Sequence, residues 1–210
     1  MKSLSRTAFI FMTFVLFTCV FSNAFAADSG PGPVPVPVSQ YSLGDQTLSI
    51  NLGLFVPLFL LPTGTWFLTP SSAGGPAHLS LGGVGSFSWA AYLSPRIRVG
   101  ADIGGTFTFS PNVNALLMLP ILAKATYVFP LYPFEIPVSF AVGMNIIKYV
   151  DQTTIDLLFR PGASFFWIFN SSWSFGLNLN YWFDMQFSPD PTQSRIGNFL
   201  EVSLGALYHY

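Results

Sequence analysis

Polar and apolar residues alternate along three segments of this 210-residue chain. From Leu48 to Leu60 an apolar side chain recurs at every second position, and small or amide residues such as Ser49 and Asn51 lie between them. The same period of two runs through 96–109 and 173–184. A period of two places the two sets on opposite faces of a β-strand, whereas a helix would scatter the polar residues around its circumference. These segments therefore predict strands with one apolar and one polar face.

Eight segments of this kind fit along the chain. Their predicted spans are 46–60, 77–92, 96–109, 115–129, 136–149, 154–169, 173–186 and 196–210. The fourth to sixth alternate less cleanly, because Pro120, Pro137 and Pro161 each remove a donor from the hydrogen-bond ladder. Segments of about ten residues with one apolar and one polar face are typical of transmembrane barrels. The fold class predicted is all-β: a closed antiparallel eight-stranded transmembrane β-barrel.

Composition agrees with a membrane environment. Hydrophobic residues make up 51% of the chain and charged residues 8%, against about 25% charged in soluble domains. Long uncharged stretches such as 103–123 leave transmembrane helices as an alternative, which the period of two disfavours. In lipid every backbone polar group must be paired internally, so strands span only as a closed barrel. The net charge of −1 supplies no basic field for nucleic acid.

The N-terminus predicts secretion. Lys2 and Arg6 precede an apolar run over 8–21, which ends in Ala24-x-Ala26. These three parts predict a cleaved signal peptide at 1–26. Removal of that segment leaves no cysteine, and therefore no disulfide or thiol chemistry.

Two alternatives for this segment are weaker. An uncleaved anchor helix needs ~20 apolar residues, and a lipidated Cys19 is preceded by Thr18, which fits the lipidation pattern poorly. Residues 27–45 are rich in proline and glycine and predict an extended periplasmic lead-in, and 46–210 form the barrel.

The lengths of the connections predict the orientation. Transmembrane barrels have short periplasmic turns and longer outer loops, and the connections at 93–96 and 170–172 are short whereas 61–76 and 187–195 are longer. Both termini are thus predicted to be periplasmic. The longest outer loop would expose three large apolar residues, Trp66, Phe67 and Leu68.

Seven charged residues fall on the predicted inner face of the barrel. They are Arg98, Asp102, Lys124, Asp156, Arg160, Asp184 and Glu201. Asp102 is expected nearly opposite Lys124, and Arg160 is expected to reach Glu201 across the lumen. Charges in a narrow lumen must neutralise one another, so the set predicts a salt-bridged plug; a polar conduction path is the alternative.

Catalytic and metal chemistry have little support. His78 lies near Ser71, Ser72 and Ser80 in the sequence, but a solvated histidine at a loop edge is the commoner situation and one histidine defines no triad. No metal-ligand spacing and no phosphate-binding loop are present. We therefore predict a protein that is not an enzyme and has no cofactor.

The C-terminal residues SLGALYHY carry a family resemblance. Ser203, Gly205, Tyr208 and Tyr210 match the C-terminal pattern of outer-membrane barrels, and the chain resembles the small eight-stranded outer-membrane proteins of the OmpX and OmpW kind. The resemblance implies insertion into the lipid of the bacterial outer membrane. It also implies that the barrel-assembly machinery recognises these four residues.

An OmpW-like protein is expected to pass small hydrophobic solutes through an apolar lumen towards a lateral opening. Five apolar residues on the predicted inner face suit that function: Phe55, Val84, Leu122, Leu158 and Phe166. The competing prediction is a non-transporting surface protein, an adhesin or structural protein whose outer loops bind a host or surface ligand.

Overall fold

The computed structural model describes residues 41–62, 75–76, 78–110, 114–186 and 195–210. They form nine strands: β1 (Gln46–Pro62), β2 (Gly75–Pro76), β3 (Gly82–Ser94), β4 (Ile97–Phe109), β5 (Ala115–Leu131), β6 (Phe134–Tyr149), β7 (Gln152–Ile168), β8 (Trp173–Met185) and β9 (Arg195–His209). Each long strand pairs with its neighbours in the chain, and β1 also pairs with β9. The eight long strands therefore close into an antiparallel barrel, and the predicted fold class is confirmed for the barrel.

The closing seam between β1 and β9 runs the full length of both strands, from Thr47 opposite His209 to Pro62 opposite Arg195. One register shift interrupts it, between Pro57 and Phe59. The backbone of Tyr210 adds two hydrogen bonds to Gln46, of 2.8 and 3.0 Å. The last residues of the chain thus seal the barrel.

The two faces of the sheet differ as the alternation predicts. Outward side chains are large and apolar, and Leu52, Ile103 and Leu204 are 67%, 56% and 68% exposed. Inward positions hold mainly small, polar or charged side chains. Antiparallel ladders between neighbouring strands and an apolar outer surface suit hydrocarbon, as a transmembrane barrel requires.

The barrel has two distinct ends. At the terminal end, β1 begins, β9 ends, and the connections at 95–96, 132–133 and 169–172 are short turns. Exposed aromatic residues surround this end: Trp167, Phe169, Trp173, Phe175 and Tyr210. At the opposite, loop end lie the turn at 150–151 and the strand ends that border the segments 110–114, 186–194 and the one between β1 and β3.

Two predicted boundaries near the loop end are wrong. The predicted strand 77–92 begins only at Gly82. Before it, His78 has a positive φ of 49°, and the Ser80 N–H donates to the carbonyl of Phe109 in β4. The predicted loop 61–76 is shorter, since β1 continues to Pro62 and Gly75–Pro76 forms β2.

Several predictions lie outside the described residues. They are the signal peptide at 1–26, most of the lead-in at 27–45, and the loop residues Trp66, Phe67, Leu68, Ser71 and Ser72. No helix among the described residues is long and apolar enough to cross a membrane.

Candidate functional site

Four of the seven predicted lumen charges meet at mid-height, in a set that we call the charge layer. One guanidinium nitrogen of Arg160 lies 2.7 Å from Asp102 Oδ1 and the other lies 3.8 Å from Glu201 Oε2. The ammonium group of Lys124 lies 4.0 Å from Asp102 Oδ2. The layer joins β4, β5, β7 and β9 across the lumen.

Neighbouring donors also contact the acids of the charge layer. The Trp182 indole N–H donates to Glu201 Oε2 at 2.8 Å, and the Arg160 guanidinium lies 5.4 Å from the centre of the Trp182 ring. The hydroxyl of Ser203 donates to Glu201 Oε1 at 2.9 Å, and that of Ser88 donates to Asp102. Buried charges are stable only when paired and hydrogen-bonded, so these contacts explain how the layer persists inside the barrel.

A chain of amides and hydroxyls, the amide ladder, crosses the lumen towards the terminal end. Ser164 donates to Asn178 at 2.7 Å, Asn178 to Asn51 at 3.0 Å, and Asn51 to Ser86 at 3.0 Å. Gly205 lies between the two asparagines: a Cβ there would be 2.6 Å from Asn51 Oδ1 and 2.7 Å from Asn178 Nδ2. The ladder is therefore possible only because position 205 has no side chain.

Tyr41 closes the terminal end of the lumen. Its ring stacks between Tyr92 and His209, with centroid distances of 4.7 and 4.8 Å. Its hydroxyl donates to Glu135 at 3.3 Å. Burial, with the nearby Glu135 carboxylate as a second cause, raises the pKa of Tyr41 above its ordinary value. The last described part of the lead-in thus inserts into the barrel mouth, a contact that no sequence pattern predicts.

The other three predicted lumen charges lie away from the charge layer. Arg98 is near the terminal end, with its guanidinium carbon 5.9 Å from the centre of the Tyr92 ring. Asp156 and Asp184 lie towards the loop end, where both line a cavity. The seven charged residues, predicted to form one set, therefore lie at three levels of the lumen.

An apolar cluster fills the lumen on the loop side of the charge layer. It consists of Phe55, Val84, Met118, Leu122, Ala141, Leu158, Trp182 and Phe199. The ring of Phe55 packs against those of Trp182 and Phe199 at 5.1 and 4.9 Å. Phe166, predicted with this group, lies instead beside the amide ladder, where it lines a small cavity of about 20 Å³. That volume holds roughly one water molecule, so side chains fill the described lumen at mid-height.

A much larger cavity of about 400 Å³ opens at the loop end. Its walls are mainly apolar, and its polar groups include the carboxylates of Asp156 and Asp184. Its apolar lining is Leu60, Leu79, Leu116, Met118, Ile147, Tyr149 and Phe199. Sequence periodicity does not reveal this site, because several of these residues lie at strand ends or in the irregular segment before β3, where alternation defines no face.

The exposed side chain of His78 lies at the rim of this cavity. The Ser80 hydroxyl is bonded to backbone, accepting from the Phe109 N–H at 3.1 Å and donating to the Leu81 carbonyl at 3.3 Å. Within the described ranges no group of three or more His, Cys, Asp or Glu residues has the arrangement of a metal site.

Among the described residues, the ladder between β1 and β3 does not extend to the loop end of β1. The pairing of these strands stops at Phe55 opposite Gly82. Beyond that point β1 continues, and in the described residues its partner on this side is β2, through Phe59–Pro76 and Leu60–Gly75. We call this interruption the lateral gap. Leu60 of β1 and Leu79, in the segment before β3, both line the cavity.

A closed antiparallel sheet of eight long strands, an apolar outer surface and a filled lumen define a small transmembrane β-barrel. A protein-family model matches residues 31–208, and the chain belongs to the family that this model represents.

Known relatives are distant. An uncharacterized protein of Treponema pallidum (strain Nichols) is 24% identical over 205 residues, which cover 91% of this chain and 94% of the relative. The crystal structure of Neisserial surface protein A is 13% identical, with a TM-score of 0.56 over 80% of this chain and 97% of that one. The outer membrane protein OprG of Pseudomonas aeruginosa is 10% identical, with a TM-score of 0.49 over 82% and 99%. The likeness to Neisserial surface protein A is one of fold.

Proposed function

We propose that this protein is an integral protein of the bacterial outer membrane that takes small apolar molecules into its loop-end cavity and releases them sideways into the membrane. The lateral gap is the observation that carries the proposal. There the hydrogen-bond ladder between β1 and β3 ends near a cavity whose walls are mainly apolar. The filled lumen below directs passage into the membrane rather than through the barrel. This function is OmpW-like, with a short path for the solute from the cavity into the membrane.

The orientation follows from the same proposal. The signal peptide at 1–26 is removed during export, both termini are periplasmic, and the loop end faces outwards. Ser203, Gly205, Tyr208 and Tyr210 are read by the barrel-assembly machinery. The apolar outer surface of the barrel contacts lipid, and the exposed Lys148 near the loop end of β6 reaches the headgroups.

A reversible cross-link of the lateral gap tests the proposal. Val56 and Leu81 extend the β1–β3 register by one position beyond Phe55–Gly82. In cells that carry Val56→Cys/Leu81→Cys in the outer membrane, oxidation should join the two sides of the gap. Uptake of N-phenyl-1-naphthylamine, which fluoresces in hydrocarbon, should fall to the level of cells without the protein, and reductant should restore it.

Leu52→Cys/Gly85→Cys is the matched control, because these positions already face each other in the same two strands. Its oxidation should leave dye uptake unchanged. Equal uptake by the oxidised and reduced Val56→Cys/Leu81→Cys protein would overturn the lateral path. If the barrel instead supports no uptake and deletion of 63–74 abolishes adhesion to surfaces, the adhesin alternative is favoured.

A further inference from the structure

We infer that the loop-end cavity selects small apolar amines, whose ammonium group binds between Asp156 and Asp184. The inference rests on the proposed function only in taking the cavity as a solute site, and it does not require onward passage. It starts from the contrast between these two carboxylates and the acids of the charge layer.

Both carboxylates are buried without a cation. Asp156 and Asp184 are each 4% exposed. Asp184 Oδ1 accepts a hydrogen bond from Asn145 at 3.2 Å, whereas Asp156 Oδ1 has no hydrogen-bond partner. Among the described residues, neither carboxylate has a basic nitrogen within the 4.0 Å that joins Lys124 to Asp102. The acids of the charge layer, by comparison, share Arg160 and Lys124.

A buried carboxylate without a counter-charge is costly, and a bound cation relieves that cost. An ammonium group supplies one positive charge and up to three hydrogen-bond donors, which matches an unpartnered Asp156 oxygen beside Asp184. An anion would meet like charge. A neutral apolar solute would fill the space and leave Asp156 Oδ1 without a hydrogen-bond partner. The charge of the cavity therefore distinguishes ligands that have the same apolar body.

The remainder of the cavity suits the apolar part of such a ligand. Its volume of about 400 Å³ lies within the roughly 300–1,000 Å³ of small-molecule pockets. Leu79, Met118 and Phe199 contribute to its apolar surface. Two basic side chains, His78 and Arg195, also border it, and both are exposed. The lining thus holds two acidic side chains and one guanidinium.

Three probes with one carbon cage separate charge from shape: 1-adamantanamine, 1-adamantanol and 1-adamantanecarboxylate. Each is titrated into the full refolded barrel in lipid nanodiscs, with the methionine methyl groups labelled with ¹³C. Met118 lines the cavity and Met144 faces outwards with 50% exposure. The amine should shift the Met118 signal saturably, at concentrations at least about tenfold below those needed for the alcohol, a difference of ~1.4 kcal/mol. The carboxylate should not shift it.

The isosteric variants Asp156→Asn and Asp184→Asn should each weaken amine binding about tenfold and leave the alcohol unaffected. Asp151→Asn, in the exposed turn between β6 and β7, should leave both unchanged.

Equal binding of amine and alcohol, an unchanged amine affinity in both cavity variants, or a shift at Met144 without one at Met118 would each overturn the inference. Because this assay measures binding alone, amine preference without dye passage overturns only the proposed function, and dye passage without amine preference overturns only the ligand class.

Discussion

Gly205 illustrates how one position serves two requirements. It belongs to the assembly signal that we propose, and it also leaves room for the amide ladder between Asn51 and Asn178. Gly205→Ala would force these amides apart and leave buried donors and acceptors unpaired. We expect a loss of about 1–3 kcal/mol in the free energy of unfolding, measured by urea titration of the refolded barrel in detergent micelles.

Gly105→Ala is the control for this prediction, since a Cβ there would meet Leu119 at an ordinary 3.5 Å. Its stability should be nearly that of the parent protein. Because refolding in detergent uses no assembly machinery, an unchanged stability of Gly205→Ala would mean that the glycine serves recognition alone.

Arg160 is the second residue for which the structure predicts a large effect. It contacts both Asp102 and Glu201 and is itself 2% exposed. Arg160→Met would leave the buried Glu201 carboxylate without a cation and Asp102 with Lys124 at 4.0 Å as its remaining cation, so we expect a loss of about 3–5 kcal/mol in the free energy of unfolding. The same urea titration measures it, and Arg96→Met, at the exposed turn before β4, should change stability by less than about 1 kcal/mol. A loss as small as that of the turn variant would contradict the charge layer as a stabilising unit.

Sequence periodicity predicts the inward or outward direction of a side chain but not which inward side chains meet. Alternation places both Arg160 and Asp156 inside, yet only register and strand tilt put the first in the charge layer and the second in the cavity. The predicted spans 115–129 and 136–149 leave Glu135 in the connection between two strands. The structure pairs Pro130 with Glu135 and buries the carboxylate beneath Tyr41. Tyr41 itself belongs to a segment with no periodicity.

At the scale of elements, the segment 41–45 acts as a cap on the barrel mouth. Besides the stacking of Tyr41, Gly44 donates to the Tyr92 carbonyl at 2.9 Å and Tyr92 donates to the Asp45 carbonyl at 2.8 Å. These bonds join the lead-in to the end of β3. The cap therefore depends on Tyr41 remaining neutral in its buried position.

The cap should weaken in alkali. Burial raises the pKa of Tyr41 above the value of 10.0 that it has when exposed, so the folded state retains this proton more tightly than the unfolded state. The stabilisation is complete below pH ~10 and is lost as the pH rises above it, by about 1 kcal/mol at pH ~11. Urea titrations at both pH values should show this loss. In Tyr41→Phe the loss between the two should be smaller, and an identical loss would contradict the prediction.

Elements are predicted best where both faces have a uniform environment. The central parts of β4 and β8 face lipid on one side and the packed lumen on the other, and their predicted spans agree with the structure to within one residue. The start of β3 lies beside the cavity, where Ser80 pairs with β4 instead of β1. The alternation of polar and apolar residues does not show that Ser80 changes its partner strand. The lateral gap, on which the proposed function rests, therefore follows from the register of the strands and cannot be read from alternation.

At the scale of the whole molecule, we expect the barrel to be closed to ions, although a large cavity lies at the loop end of the part that the structure describes. An ion needs a continuous aqueous path, and the apolar cluster and charge layer lie between the 400 Å³ cavity and the 20 Å³ cavity beneath them. The smaller space holds roughly one water. Refolded into planar bilayers, the protein should therefore carry no steady current.

Removal of the side chains that join the apolar cluster to the charge layer should create a path for ions. Trp182 is fully buried and belongs to the apolar cluster, while its indole bonds to the charge layer through Glu201. The double variant Arg160→Ala/Trp182→Ala removes both residues and leaves the acids to attract cations, so we expect small cation-selective currents. Heat-dependent gel mobility should first show that this variant has folded. Steady currents through the parent protein would mean that its lumen opens, and solute would then have a route through the barrel as well as through the lateral gap.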